Sequence, residues 1–126
     1  MVGIVVVSHS QKLAESVVEL AAMMAPETPM VPAGGMDDGG FGTSYEKIYD
    51  AINSIYSEDG IAILMDLGSA VMTTEMVLEE MGDRKIKMVD CPVVEGAISA
   101  AVDAAGGGTL ESVVESAKMA RTMNKF

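Results

Sequence analysis

The chain opens with a continuous apolar run that stops abruptly at three polar residues. Val2-Gly3-Ile4-Val5-Val6-Val7 is rich in β-branched side chains, and Ser8-His9-Ser10 follows it directly. A strand with one face in water alternates apolar and polar side chains, whereas a strand covered on both faces is apolar throughout. The opening therefore predicts a strand inside a parallel sheet that carries helices on both faces.

Three more strand-like runs follow, separated by segments with helical spacing of apolar residues. The runs are Met30-Val31-Pro32-Ala33, Ile61-Ala62-Ile63-Leu64-Met65 and Ile86-Lys87-Met88-Val89. The element order βαβαβαβαα is typical of an α/β fold with an open, mainly parallel sheet, for which we expect the strand order 2-1-3-4. Pro32 has no N–H to donate, so the second strand belongs near an edge. Residues 1–126 are expected to form one domain.

The helix boundaries carry their own signals. The first helix follows Ser10, and Ser8 and Gln11 have the spacing of a capping box for it. A second helix begins near Thr43 or Ser44. The third follows Ser69, and the fourth and fifth follow Pro92 and Thr109.

Charge and composition exclude several classes of function. Eight basic against nineteen acidic residues give a net charge of −11, with the one histidine neutral. Such a charge repels phosphate backbones and anionic lipids, so neither nucleic acid nor a membrane is an expected partner. No apolar run approaches the roughly 18 residues of a membrane span, and no basic segment precedes the first strand as in a secretory signal. We expect a folded cytoplasmic protein. Cys91, the single cysteine, has no partner for a disulfide or a metal site.

The polar residues gather in the loops that follow the strands. His9 follows the first strand, the glycine-rich segment 34–44 the second, and Asp66 and Ser69 the third. In a parallel sheet these loops lie along one edge, and ligands bind where the strand order reverses. With the order 2-1-3-4, the first and third strands are neighbours, so His9 and Asp66 should meet in one pocket.

An imidazole beside a carboxylate is suited to nucleophilic chemistry. The carboxylate accepts one ring N–H and leaves the other nitrogen free to attack. Glycine-rich backbone, the hydroxyls of Thr43 and Ser69, and helix N-termini supply donors for phosphoryl oxygens. No lysine or arginine occurs in the three loops, which fits a carrier that must release its group again. A purely structural interpretation stays open: His9 as a surface residue and Asp66 as a helix cap.

Five segments together resemble a known family. They are Ile4-Val5-Val6-Val7-Ser8-His9-Ser10, Ala33-Gly34-Gly35-Met36-Asp37-Asp38, Gly42-Thr43, Met65-Asp66-Leu67-Gly68-Ser69-Ala70 and Pro92-Val93-Val94-Glu95-Gly96. In this order they resemble the mannose-type IIA domains of the bacterial phosphotransferase system. Within that family they are most similar to the phosphotransfer subunits of phosphoenolpyruvate-dependent dihydroxyacetone kinases. The resemblance extends from residue 1 to about residue 105.

The resemblance implies a phosphohistidine carrier with His9 as phosphoacceptor and Asp66 orienting the ring. By position, Gly42, Thr43 and Ser69 would bind the phosphoryl group. The donor would be the phosphocarrier protein HPr, and the acceptor would be ADP held with magnesium on the nucleotide-binding subunit of the kinase. The chain itself would bind no cofactor or metal, and it would form a homodimer. Some members are fused to donor domains, whereas this sequence ends at Phe126, so we expect the donor to be a separate protein.

Three alternatives compete with this interpretation. A sugar-transporting IIA domain would use the same chemistry, but such domains extend the third-strand motif with further Gly, Ser and Pro, where this chain has Ser69-Ala70-Val71. A receiver or flavin-binding module on a flavodoxin-like sheet is also disfavoured. A receiver needs an acidic pair at the end of the first strand, where this chain has Ser8-His9, and flavin binding needs aromatic platforms, whereas the sequence has no tryptophan. A hydrolase using Ser8 or Ser10 with His9 is disfavoured because side chains of adjacent residues diverge.

Overall fold

The computed structural model describes residues 1–126 and contains the predicted alternation of strands and helices. Its elements, in chain order, are β1 (Gly3–Ser8), α1 (Gln11–Met24), β2 (Met30–Gly34), α2 (Tyr45–Ile55), β3 (Ile61–Met65), α3 (Gly68–Met81), β4 (Ile86–Val89), α4 (Val93–Ala105) and α5 (Leu110–Met119). The predicted element order is therefore confirmed. None of the helices combines the length and apolar character needed to cross a bilayer.

The four strands form one parallel sheet in the order β2-β1-β3-β4, as predicted. Every residue of β1 and β3 is buried, because each of these central strands has a neighbour on both sides and helices above and below. Pro32 lies in the edge strand β2, opposite Val6 of β1. Its missing N–H removes no bond from a sheet that ends there.

Successive side chains of the central strands point into two separate apolar layers. Ile4, Val6 and Leu64 pack with residues of α1, α4 and α5, whereas Val5 and Ile63 pack with α2 and α3. The first layer is rich in alanine, with Ala14, Ala21, Ala97, Ala101 and Ala104 fully buried. Small side chains let α1 and α4 lie close to each other and to the sheet, so this layer excludes water without bulky residues.

Three of the five helices begin at a hydroxyl side chain that accepts a main-chain N–H. Ser10 accepts from Leu13 in α1, Ser44 accepts from Lys47 in α2, and Thr109 performs the same function in α5. The predicted capping box at Ser8 is wrong, because Ser8 is the last residue of β1 and its hydroxyl faces β3. Helix α3 has Leu67 at its N-cap and no capping side chain. The Ala70 N–H donates to the Leu67 carbonyl, and the N–H groups of Gly68 and Ser69 remain available to a ligand.

The doubly covered sheet makes a direct prediction for Leu64. Leu64→Ala should lower the free energy of unfolding by about 2–5 kcal/mol, because a fully buried leucine leaves a cavity when it is truncated. Leu20→Ala, at a position that is 42% exposed, is the matched control and should change it by less than about 0.5 kcal/mol. Urea unfolding measures the free energy of unfolding of both variants. An equal decrease in the two would mean that Leu64 does not lie in the core.

Candidate active site

The imidazole of His9 and the carboxylate of Asp66 meet at the carboxyl edge of the sheet. His9 follows β1 and Asp66 follows β3, and these strands are hydrogen-bonded neighbours. His9 Nδ1 lies 2.9 Å from Asp66 Oδ1. The side chain of His9 is 24% exposed, and that of Asp66 is 14% exposed. The pair is therefore largely buried, and part of the imidazole is accessible to solvent.

Asp66 accepts hydrogen bonds on both carboxylate oxygens. Oδ2 receives the Ser8 hydroxyl at 2.8 Å and the His9 main-chain N–H at 3.0 Å. Oδ1 faces His9 Nδ1 and receives the Leu67 N–H at 2.7 Å. Burial alone would raise the pKa of the Asp66 carboxyl, but the hydrogen bonds from His9, Ser8 and Leu67 outweigh it and lower that pKa below its ordinary value. Asp66 is therefore ionised at neutral pH.

The ionised carboxylate decides which ring nitrogen of His9 carries the proton. A carboxylate only accepts, so the Nδ1 that faces it must donate, and in the neutral ring Nε2 keeps its lone pair. Nε2 lies beside the hydroxyl of Ser69, with which it forms a hydrogen bond. Ser69 is in the first turn of α3, which has no capping side chain. The nucleophilic nitrogen therefore lies next to a helix N-terminus, a favourable place for an anionic group.

Gly42 and Thr43 lie in the same region but do not contact the ring. The Gly42 N–H, which was predicted to be available to a phosphoryl group, donates to the His9 carbonyl at 2.9 Å. A Cβ at Gly42 would lie 2.9 Å from the sulfur of Met36, and its φ of 140° disfavours any other residue. The Thr43 hydroxyl pairs with that of Thr73 in α3 at 3.0 Å. Both residues hold the glycine-rich segment against its neighbours.

The structure assigns structural contacts to the other reactive side chains near the site. The Ser8 hydroxyl donates to Asp66 and the Ser10 hydroxyl caps α1, so neither serine is paired with the imidazole as a hydrolase nucleophile would be. Burial raises the pKa of the Cys91 thiol to about 11, with a smaller contribution from Asp90. The thiol is therefore protonated at neutral pH, and it packs against Gly96.

Two contributing residues were missed at the level of sequence. Ser8 was considered as a helix cap or nucleophile, yet its hydroxyl is fully buried and bound to Asp66. A serine that ends a buried strand must find a partner for its hydroxyl, and that rule was the available signal. Lys47 belongs to α2, yet its ammonium donates to main-chain carbonyls of the glycine-rich segment. No local pattern places it there.

Comparison with known proteins assigns the family. The family model described as "PTS system fructose IIA component", EIIA-man, matches residues 3–114. The chain belongs to this family. The resemblance drawn from the five segments is therefore confirmed, and so is the mannose-type IIA fold.

Two curated relatives are subunits of dihydroxyacetone kinases. The chain is 36% identical over 121 residues to the phosphoryl donor subunit DhaM of the PEP-dependent dihydroxyacetone kinase of Escherichia coli K12, covering 90% of this chain but 26% of that protein. It is 34% identical over 113 residues to the phosphotransferase subunit DhaM of the PTS-dependent kinase of Lactococcus lactis, covering 90% of each. The chain thus spans about a quarter of one relative and nearly all of the other.

A solved structure has the same fold. The crystal structure of the protein EF1359, described as of unknown function, superposes with a TM-score of 0.83 at 30% identity, covering 94% of this chain and 93% of the other. The overlap extends over nearly the whole of both chains, so the arrangement of the sheet and its loops is shared.

The hydrogen bonds on Asp66 predict how acid affects stability. A carboxyl whose pKa is lower when folded stabilises the protein fully above its ordinary pKa of 3.8, and the contribution is lost as the pH falls through the folded value. Asp66→Asn should cost about 1–3 kcal/mol at pH 7, because the donors around it lose a charged acceptor. The cost should shrink progressively as the pH falls below the ordinary carboxyl pKa of 3.8.

Urea unfolding of Asp66→Asn at several pH values checks this expectation. Asp83→Asn, at an exposed carboxylate without hydrogen bonds, is the matched control and should follow the wild type. A cost for Asp66→Asn that stays constant down to pH 2 would contradict the ionised, hydrogen-bonded carboxylate.

Proposed function

We propose that residues 1–126 act as a phosphohistidine carrier domain in which His9 Nε2 accepts a phosphoryl group. The single observation that carries the proposal is the pairing of Nδ1 with the Asp66 carboxylate at 2.9 Å, which leaves Nε2 as the nucleophile. The position of Nε2 beside Ser69 and the uncapped N-terminus of α3 supports it further. Membership of the IIA family supports a phosphoryl carrier of this kind.

The transfer balances without a proton leaving the site. The Nε2 lone pair attacks phosphorus, the P–N bond on the donor's phosphohistidine breaks, and its electron pair returns to the donor ring. His9 Nδ1 keeps its proton throughout, so the phosphorylated ring acquires positive charge that Asp66 offsets at 2.9 Å. The hydroxyl of Ser69, released from Nε2, and the unpaired N–H groups at the start of α3 then donate hydrogen bonds to the phosphoryl oxygens.

The proposed partners are proteins. The donor is HPr, and the acceptor is ADP held with magnesium on the nucleotide-binding subunit of dihydroxyacetone kinase, while this chain binds no cofactor itself. The names of the relatives in Escherichia coli and Lactococcus lactis, both phosphotransfer subunits of that kinase, support this assignment. A cytoplasmic location and a homodimer belong to the same proposal.

Exposed apolar side chains beside the site fit protein partners. Phe41, next to Gly42, is 86% exposed, and Leu67, next to Asp66, is 63% exposed. Met72 and Met76 continue the exposed face of α3 from Ser69 and are 69% and 61% exposed. Apolar side chains around a polar centre give an approaching protein area to bury, whereas a small molecule would need an enclosed pocket.

A sugar-transporting IIA domain is the second candidate, because the matching family model is described as a fructose IIA component. The chemistry at His9 would be the same and the acceptor would be a sugar-transport protein. Phosphorylation by HPr therefore does not distinguish the two functions; the identity of the acceptor does.

The chemistry predicts one site of labelling. After incubation with phosphoenolpyruvate, enzyme I and HPr, the wild type should carry one acid-labile, alkali-stable phosphoryl group. His9→Ala should carry none, since the sequence contains no other histidine. Because His9 lies outside the apolar layers, the variant should keep the far-ultraviolet circular dichroism of the wild type. Label that survives in a folded His9→Ala variant would remove His9 from the mechanism.

The acceptor is tested with the isolated labelled protein. Mixed with the nucleotide-binding kinase subunit loaded with magnesium and ADP, it should lose its label as ATP forms. The sugar-transport acceptor proteins of the family should leave the label in place. Transfer to one of them, with none to ADP, would make this chain a transport component.

A further inference from the structure

Lys47 is a basic side chain of α2 that reaches the glycine-rich segment after β2. Its ammonium donates to the Gly34 carbonyl at 3.0 Å and to the Met36 carbonyl at 3.1 Å. A lysine usually keeps its ammonium in water, whereas this half-buried one gives its protons to main-chain oxygens. It therefore ties the beginning of the segment to a helix.

The contacts continue from Lys47 to the histidine. The Met36 carbonyl also accepts the Gly39 N–H at 3.0 Å, and the Met36 N–H donates to the Gly40 carbonyl at 2.8 Å, which closes a tight turn. The Met36 side chain lies against Gly42, leaving no space for a Cβ there. The Gly42 N–H then donates to the His9 carbonyl at 2.9 Å. Met36 and Gly42 thus link the ammonium of Lys47 to the backbone of His9.

The other end of this linkage is rigid. Lys47 lies in the first turn of α2, where its own N–H donates to the capping hydroxyl of Ser44. The next residue, Ile48, is fully buried against the sheet. The Ser44 hydroxyl also donates to Asp37 in the segment at 3.3 Å. A side chain held on a packed helix can fix a loop that has few apolar contacts of its own.

We propose that Lys47 is a positioning residue for phosphoryl transfer, which holds the segment 34–42 against His9 and so fixes the imidazole relative to Ser69. The inference rests on the proposed function of His9. Lys47 touches neither the ring nor the phosphoryl group, and it moves no proton. Its effect is geometric: the segment holds the His9 main-chain carbonyl through the Gly42 N–H. A displacement of about 1 Å at a reacting centre can cost about 100-fold in rate.

The test compares three variants in transfer from phosphorylated HPr. Lys47→Met keeps the aliphatic stem but removes the donors, so kcat should fall about 10- to 100-fold while KM for phosphorylated HPr stays within about 2-fold. Lys47→Arg keeps charge and donors and should recover most of the lost kcat. Lys12→Met removes the same charge from an exposed position in the first turn of α1 and should leave kcat unchanged. An equal fall of kcat in Lys12→Met would contradict the inference, because kcat would then depend on positive charge and not on the contacts of Lys47 with the segment.

Hydrogen exchange tests the linkage without any phosphorylation. The Gly42 amide is protected by the His9 carbonyl, so Lys47→Met should speed its exchange about 10-fold or more while amides of β1 and β3 keep their wild-type rates. Wild-type exchange at Gly42, or wild-type kcat, in Lys47→Met would overturn the inference. Wild-type protein that accepts no label at His9 would instead overturn the proposed function, and the exchange result would still decide the linkage.

Discussion

The site depends on one carboxylate whose hydrogen-bonding capacity is filled by its neighbours. Asp66 receives the Ser8 hydroxyl, two groups of His9 and the N–H of Leu67. All of these donors come from the ends of β1 and β3, so the parallel pairing of two buried strands assembles the whole arrangement. Because the carboxylate is ionised, it fixes the tautomer of His9 and directs a free nitrogen towards α3. The fold thus orients the imidazole for the nucleophilic role that we propose for it.

The helix N-terminus beside the imidazole suits the phosphoryl group that we propose it accepts. Helices α3 and α4 begin without a capping side chain, whereas α1, α2 and α5 each have one. Of the two uncapped helices, α3 is the one whose first turn lies beside Nε2. Its unpaired N–H groups are a small cost in helix stability and a favourable site for anionic oxygens. No arginine or lysine is in hydrogen-bonding contact with the ring, so positive charge there is supplied by helix dipoles, which hold a transferable group less firmly.

The sequence was informative where one local pattern dictates one structure. Continuous apolar runs identified the buried strands, and Pro32 identified the edge strand, because an unpaired position is where a missing N–H costs least. The meeting of His9 with Asp66 followed from the strand order alone. Ser8 was misinterpreted because a hydroxyl at a strand end has several possible partners, and the cap of α1 is the next serine in the chain, Ser10.

The sequence by itself determined the alternation of strands and helices and placed one histidine and one aspartate directly after two of the strands, because periodicity identifies these elements. The strand order 2-1-3-4 was an expectation from the common topology of such chains, and the structure decided it. Only the tertiary structure decided that Nε2 faces Ser69 and that the Gly42 N–H donates to the His9 carbonyl. It also decided that Lys47 of α2 binds the glycine-rich segment. These contacts join residues far apart in the chain, and their geometry depends on how helices pack on the sheet, which no local pattern encodes.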